Sequence, residues 1–122
     1  MKRIMLRSKI HRATLTGVEL DYEGSITIDE SLLEKADILP NEQVHELNCD
    51  NGSRCITYTI PAPAGSGTML LNGPAARLGM PDDRVVVIAY CEIEHSEVAT
   101  VSPHLVFVDE KNRPVEASGT GG

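Results

Sequence analysis

The strongest structural signal in the sequence is the run QVHELNCDNGSRCITYTI at residues 43–60. Two segments that favour β structure, residues 43–49 and 54–60, flank the turn-forming group DNGS. An Asn-Gly pair between two such segments is the strongest short-range signal for a β-hairpin. The sequence therefore predicts an antiparallel hairpin centred on this turn.

Outside the hairpin, most apolar segments are short, rich in β-branched residues and separated by turn signals. This pattern is typical of an all-β barrel or sandwich. The most apolar of these segments is expected to be a central strand. Alternation along the first predicted strand, residues 4–16, places Lys9 and His11 on the same face. The predicted strands cover residues 4–16, 25–28, 68–71, 84–92 and 105–108.

Helical structure is expected only in short pieces. Asp29 is a suitable N-cap for a helix over residues 30–37. Pro74 suits the first position of a helical turn over residues 74–78. Residues 61–67 are predicted to form a loop because they consist of Pro, Ala, Gly and Ser.

Length and composition restrict the possible functions. The chain has 122 residues, of which 41% are apolar and 24% are charged, which suits a single domain over residues 1–122. The glycine-rich residues 117–122 are expected to form a flexible tail. A net charge of −7 disfavours binding to the phosphate backbone of nucleic acids. With three Tyr, one Phe and no Trp, a stacking platform for bases, sugars or flavins is not expected.

Cysteine, histidine and hydropathy patterns exclude further classes. The three cysteines lack Cys-x-x-Cys spacing and no secretory signal follows Met1, so we expect a cytoplasmic protein in a reducing compartment. The longest apolar run, residues 85–91, is too short to cross a bilayer, so no membrane partner is expected. No two histidines lie four residues apart, and we predict no metal site.

The segment Tyr22-Glu23-Gly24-Ser25 combines a hydroxyl nucleophile with a preceding residue that has no side chain. If a turn holds the Gly24 carbonyl close to the Ser25 hydroxyl, the oxygen can attack that carbonyl and convert the amide into an ester. Elimination of the ester leaves dehydroalanine, which hydrolyses to a ketone, so that Ser25 becomes a pyruvoyl group on a new N-terminus. Glycine favours this reaction because it reaches backbone conformations that other residues find strained. Taken alone, Gly-Ser indicates only a β-turn.

Four separate motifs occur together in this chain. They are MLRSKIHRA at residues 5–13, YEGS at 22–25, NG at 51–52 followed by Arg54, Thr57 and Tyr58, and LNGPAA at 71–76. In this order and spacing they resemble the aspartate decarboxylase family over residues 1–108. The resemblance implies a mainly β fold, a six-stranded double-psi β-barrel with short helices. It also implies a homotetramer whose active sites lie between neighbouring subunits.

The same resemblance implies a reaction and a cofactor. Members of the family make β-alanine and CO₂ from L-aspartate for the synthesis of pantothenate and coenzyme A. By analogy, the chain would cleave itself between Gly24 and Ser25 into residues 1–24 and 25–122, with Ser25 converted to the pyruvoyl group. The ketone of this group would form a Schiff base with the substrate amine and accept the electron pair released with CO₂. Some family members need a helper protein for this maturation.

The resemblance also assigns roles to single residues. Ser25 supplies the pyruvoyl group, and Tyr58 is the expected proton donor because a phenol stays largely neutral at pH 7. Thr57 is expected to bind substrate and to hydrogen-bond the oxyanion formed at Gly24 during cleavage. On an alternating strand Thr57 and Tyr58 point to opposite faces, so one of them would work across a subunit boundary or through a local twist.

Substrate carboxylates require positively charged partners, and Lys9 and Arg54 are the expected cations. The planar guanidinium of Arg54 suits bidentate binding of a carboxylate, whereas Lys9 supplies a point charge. Lys9 fits an ordinary solvent-exposed charge equally well.

The segment Asn72-Gly73-Pro74-Ala75 precedes a helical turn, whose free N–H groups form an expected anion-binding site for the substrate. Family members often have Ala where this chain has Pro74. Because Pro has no N–H, Gly73 and Ala75 would supply the backbone donors, and Pro74 would shape the turn.

Two alternatives remain open. A pyruvoyl decarboxylase that acts on another amino acid would share these motifs, and comparing CO₂ release from aspartate, glutamate and neutral amino acids would separate the two. A non-enzymatic β-barrel interaction module, such as a swapped-hairpin transcription regulator, would use Gly24-Ser25 only as a turn. The net charge of −7 argues against DNA binding by such a module.

Overall fold

The computed structural model describes residues 1–116, so the predicted flexible tail at 117–122 lies outside the described residues. Nine β-strands and three short helical segments form this part of the chain, which confirms the predicted mainly β class. The strands are β1 (Lys2–Thr14), β2 (Gly17–Glu19), β3 (Ser25–Asp29), β4 (Gln43–Asn48), β5 (Arg54–Ala62), β6 (Met69–Asn72), β7 (Arg84–Glu94), β8 (His104–Val108) and β9 (Pro114–Val115). The helical segments are the α-helix α1 (Glu30–Ala36) and two 3₁₀ helices, Gly73–Leu78 and His95–Thr100.

The strands follow one another around a barrel-like ring. In the sheet order β2-β6-β3-β5-β4-β7-β1-β8-β9, the strand at one end, β2, follows β1 in the chain with only residues 15 and 16 between them. β2 pairs in parallel with β6, and the Thr16 N–H donates to the Met69 carbonyl at 2.8 Å. With β1 and β2 counted as one strand, β7, β4, β5, β3 and β6 complete a set of six neighbours, which is compatible with the expected six-stranded barrel. The double-psi type of that barrel remains a prediction.

The predicted hairpin is confirmed. β4 and β5 pair in antiparallel register, with Gln43 opposite Tyr58. The Asn48 N–H donates to the Ser53 carbonyl at 2.9 Å and closes the loop between the strands. Gly52 has a φ angle of +75° in this loop, a conformation that favours glycine.

The predicted loop at residues 61–67 is wrong at its start, because β5 continues through Pro61 to Ala62. These two residues pair in parallel with the end of β3. β4 pairs with β5 only as far as Tyr58, so Pro61 has a neighbouring strand on one side. A residue without an N–H is tolerated at such an edge position.

Other element boundaries differ from the predictions by a few residues. β1 covers Lys2–Thr14 rather than residues 4–16, and two register shifts interrupt its alternation. The N-cap is confirmed, because the Asp29 carboxylate accepts from the Ser31 N–H at 2.8 Å. Asp37 adopts the left-handed conformation and ends α1 one residue earlier than expected. The sequence does not predict β2 or β9, because strands of two or three residues are too short to show alternation.

The interior of the barrel is aliphatic, which suits a chain with only 3% aromatic residues. β7 lies between β4 and β1, which confirms that the most apolar strand is central. Inward positions of β4 alternate, so that Val44, Glu46 and Asn48 are all buried. The ionisable side chain of Glu46 is therefore buried in the interior. The large, fully buried core side chains include Ile10, Leu15, Ile26, Ile28, Leu32, Leu71, Val85 and Val87.

Candidate active site

A cavity of about 360 Å³ lies where the start of β3, the strand β5 and the 3₁₀ helix after β6 meet. Five residues expected at the functional site line it, together with three that sequence reasoning does not identify. The lining consists of Gly24, Thr57, Tyr58, Pro74 and Ala75, with Cys55, Ile56 and Leu78. A larger groove of about 610 Å³ between Arg84 and the β8–β9 turn contains none of the expected site residues.

The Ser25 hydroxyl is buried directly beside this cavity and held from two sides. Ser25 begins β3 opposite Asn72 of β6 and has an exposed fraction of 0%. The Asn72 amide donates to Ser25 Oγ at 2.9 Å, and the Ser25 hydroxyl donates to the Glu23 carbonyl at 3.0 Å. The same amide donates to Thr27 Oγ1 at 2.8 Å. A hydroxyl fixed in this way keeps one orientation relative to the Gly24–Ser25 peptide.

Gly73 allows the 3₁₀ helix to approach the turn before Ser25. Its φ angle is +62°, and a Cβ built on it would lie 2.7 Å from both the Gly24 nitrogen and the Tyr22 carbonyl oxygen. A Cβ on Gly24 would lie 3.3 Å from Cδ of Pro74. The structure thus brings Gly24, Gly73 and Pro74 together, and only glycine fits at position 73.

Thr57 and Tyr58 point to opposite faces of β5, as the alternation predicts. Thr57 lies opposite the buried Val44, and Tyr58 lies opposite the exposed Gln43. The Tyr58 hydroxyl donates to Glu23 Oε2 at 3.4 Å. Partial desolvation and the adjacent Glu23 carboxylate raise the pKa of Tyr58, because both disfavour the phenolate. Tyr58 therefore carries its proton at neutral pH.

The two expected cations lie in different places. Arg54 is exposed at the start of β5, next to the cavity residue Cys55. Lys9 lies on β1 opposite Ile88 and does not line the cavity of the same chain. Neither side chain forms a salt bridge with another of the residues 1–116. Within one chain, the cavity lining has no cationic side chain in the described part.

The cavity wall contains a feature that sequence reasoning missed. The Cys55 thiol donates to Glu46 Oε1 across an Sγ–Oε1 distance of 3.7 Å. Burial raises the pKa of Glu46 to about 7 and that of Cys55 to about 11. The sequence signal that could have identified Glu46 is the alternation in β4, which places this charged residue at an inward position between Val44 and Asn48. The three cysteines are free, and Cys49 is exposed.

No helix in the described part of the chain is long and apolar enough to cross a membrane. Among residues 1–116, no group of three or more His, Cys, Asp or Glu side chains is arranged to hold a metal ion. The polar groups that line the cavity are the Thr57 hydroxyl, the Tyr58 phenol, the Cys55 thiol and backbone groups.

Comparison with known proteins covers almost the whole chain. The family model described as aspartate decarboxylase matches residues 1–115. The aspartate 1-decarboxylase of Dehalococcoides mccartyi is 54% identical over 109 residues, which cover 89% of this chain and 88% of the relative. That of Trichormus variabilis is 53% identical over 116 residues, or 95% and 91% of the two chains. That of Salinibacter ruber is 56% identical over 108 residues, or 88% and 74%. This chain belongs to the aspartate decarboxylase family.

Proposed function

We propose that this chain is a carboxy-lyase that uses a pyruvoyl group to convert L-aspartate to β-alanine and CO₂, for the synthesis of pantothenate and coenzyme A. The cavity that gathers Gly24, Thr57, Tyr58, Pro74 and Ala75 is the observation that carries the proposal. Its position beside Ser25, and identities of 53–56% to relatives named aspartate 1-decarboxylase, support it.

The first proposed step is cleavage of the chain's own Gly24–Ser25 bond. Ser25 Oγ attacks the Gly24 carbonyl carbon, the amide C–N bond breaks, and the nitrogen takes up the proton that the hydroxyl loses. Elimination of the resulting ester, followed by uptake of water and loss of ammonia, leaves residues 1–24 and a second chain that begins with the pyruvoyl group. The hydrogen bond from Asn72 supports this step, because a fixed nucleophile loses less entropy on reaction.

The residues around the start of β3 fit a pyruvoyl group. Gly24 lines a cavity of about 360 Å³, so a carbonyl at position 25 would lie at the cavity edge. When present, that carbonyl supplies an electron sink for the bond that loses CO₂. Tyr58, a neutral phenol at pH 7 whose pKa is raised further by desolvation and the Glu23 carboxylate, is the proposed proton donor to the carbon that has lost CO₂. Thr57 is proposed to bind substrate and to stabilise the negative charge at Gly24 during cleavage.

Binding of the two aspartate carboxylates is proposed to use Arg54, Lys9 and the N–H groups of Gly73 and Ala75. Arg54 adjoins the cavity wall. Lys9 belongs to a strand that β7 and β4 separate from β5. We therefore propose that Lys9 reaches the cavity of a neighbouring copy in a homotetramer.

The outer face of the sheet supports such an assembly. Ile4 and Tyr90 are 70% and 42% exposed and line a groove of about 420 Å³ together with His45. The His45 and Tyr90 rings are 5.0 Å apart at their centroids. Lys9 lies in register with Ile88 and His45 across β7 and β4, so it belongs to the same face. A second copy seated there would cover apolar surface and bring Lys9 to a subunit boundary.

We also propose that the protein acts in the cytoplasm, which fits its free thiols at Cys49, Cys55 and Cys91. A helper protein for maturation is a further possibility that the family offers. Incubating the purified chain alone and following its cleavage with time separates spontaneous from assisted maturation.

The proposed activity is tested by incubating the purified protein with L-aspartate, L-glutamate or a neutral amino acid and measuring CO₂ and the amine product. We expect β-alanine from aspartate and at least a hundredfold lower kcat/KM for the other substrates. The Ser25→Ala chain should release no CO₂ from any of them. Equal rates with glutamate would favour the alternative substrate class, and an active Ser25→Ala chain would overturn the proposed chemistry.

A further inference from the structure

One wall of the candidate cavity holds a thiol that is paired with a buried carboxyl. Cys55 lines the cavity and also packs against the hydrophobic core. It lies directly opposite Glu46 in the β4–β5 ladder, and its S–H donates to Glu46 Oε1 at 3.7 Å. Glu46 is 0% exposed. Its second oxygen, Oε2, is buried and has no hydrogen-bond partner among the described residues.

This arrangement is not one that packing alone favours. A buried acceptor without a partner destabilises a fold, and an apolar side chain at the same position would avoid that cost. The charged group that acts on Glu46 is Asp83, which precedes β7 and has the same sign. Burial first, and then the charge of Glu46 and its hydrogen bond, raise the pKa of Cys55 to about 11. Burial and the adjacent Glu46 therefore both favour the protonated form of this cavity thiol.

We propose that Glu46 is a positioning residue that holds the Cys55 S–H toward the barrel interior and keeps this thiol unreactive within the candidate cavity. The benefit of an unreactive thiol rests on the proposed function, in which a substrate amine must reach an electrophilic carbonyl. A thiolate that reached that carbonyl first would form a carbon–sulfur bond while the oxygen took up a proton, and this would block the group. A thiol that stays protonated does not compete with the substrate amine for the carbonyl.

The test measures the alkylation rate of each cysteine by iodoacetamide between pH 6 and pH 9, with peptide mass spectrometry as the readout. The Ser25→Ala chain is used, since its thiols can be compared without cleavage or decarboxylation. Failure of the proposed function therefore leaves this test intact. We expect Glu46→Gln to speed alkylation of Cys55 at least fivefold at pH 8.5, because the repulsion between Glu46 and the thiolate is removed.

Two controls separate this effect from loosening of the fold. Cys91 is half-buried on β7, and its alkylation rate should stay unchanged in Glu46→Gln. In a partly unfolded protein the alkylation rate of Cys91 would rise. Glu34→Gln, an exposed substitution on α1, should leave the Cys55 rate unchanged. If Cys55 in the Glu46→Gln version is alkylated within twofold of its rate in the Ser25→Ala parent chain, the proposal is overturned.

The Ser25→Ala chain without a further substitution gives a second test if the Glu46→Gln version does not fold. Its Cys55 rate should rise less than tenfold per pH unit near pH 7, where ionisation of Glu46 opposes formation of the thiolate. The exposed Cys49 lies outside the pair and should be alkylated faster than Cys55 at every pH in this range. A Cys55 rate that rises tenfold per pH unit near pH 7, or one that equals the Cys49 rate, would contradict the proposal.

Discussion

Gly73 and Gly52 share a positive φ angle but differ in their surroundings. The φ angles are +62° and +75°. A Cβ on Gly73 would lie 2.7 Å from the backbone of Gly24 and Tyr22, whereas nothing lies within 4 Å of a Cβ on Gly52. Position 73 therefore requires glycine for its conformation and for space, while position 52 requires it for conformation alone.

This pair provides a matched test of the cleavage turn. Gly52→Ala should lower the free energy of unfolding by about 1–2 kcal/mol, the cost of a left-handed alanine, and should cleave at the normal rate. Gly73→Ala should lose more stability and cleave at least tenfold more slowly, because the turn must move away from Ser25. Urea unfolding of uncleaved Ser25→Ala versions and the time course of cleavage measure the two effects. Equal cleavage rates in the two glycine variants would contradict this account of position 73.

Tyr58→Phe removes the proposed proton donor and keeps the ring. We expect kcat for CO₂ release from aspartate to fall by about 10²–10⁴-fold, the range for loss of a general acid. KM should change little, and cleavage should proceed normally. Tyr22→Phe is the control, since Tyr22 is 52% exposed and has no proposed proton-transfer role. An unchanged kcat in Tyr58→Phe would remove Tyr58 from the mechanism.

Asp29 connects three elements near the end of β3. Its Oδ1 caps α1 through the Ser31 N–H and also accepts from the Gly65 N–H at 3.0 Å. Its Oδ2 accepts from the Gly67 N–H at 2.8 Å. Burial alone would raise the pKa of Asp29, but the hydrogen bonds outweigh it and hold the pKa below its usual value. The ionised carboxylate thus fixes the 63–67 loop to the barrel.

The lowered pKa of Asp29 fixes the sign of its pH dependence. Its stabilising contribution is fully present above 3.8, the ordinary pKa of an aspartate, and is lost as pH falls through the lower pKa of the folded state. Asp29→Asn should lower the free energy of unfolding at pH 7 by about 1.5–3 kcal/mol. The difference between the two proteins should shrink below pH 3.8. Denaturant unfolding at several pH values measures it, and a constant difference down to the lowest pH would contradict the assignment.

Elements with local signals could be predicted, and elements that depend on distant pairing could not. The Asn-Gly turn and the Asp29 cap act over a few residues, so the hairpin and α1 follow from the sequence. The strand at Pro61 depends on parallel pairing with β3, which no local pattern reports. At the site, the family motifs locate Gly24 and Tyr58. The alternation in β4 indicates that Glu46 faces inward, but its contact with Cys55 depends on the register of the hairpin, which the sequence pattern does not specify.

The molecule as a whole presents an apolar outer face at β1, β7 and β4. Ile4 and Tyr90 are exposed there, and Lys9 lies on the same face in register with Ile88. In one chain this lysine does not line the cavity. The proposed homotetramer accounts for both observations, since one contact would cover the apolar side chains and deliver a cation to the site.

Tyr90→Asp tests this assembly. A charge in the contact should convert a particle of about four times 13.2 kDa to smaller species, and decarboxylation should be lost with it, because an isolated charge is costly to bury. Tyr90→Phe keeps the ring and should retain both properties. Light scattering coupled to size exclusion gives the mass. A Tyr90→Asp protein that stays tetrameric would place the contact on another face.

The intact mass of the purified protein, recorded after prolonged warm incubation, shows whether the chain cleaves itself and forms the pyruvoyl group. We expect two chains, one of 24 residues and one with the remaining 98 of the 122 residues. The larger chain should have a mass that fits a pyruvoyl group in place of Ser25, and Ser25→Ala should stay whole. A single uncleaved chain that nevertheless releases CO₂ from aspartate would contradict the account.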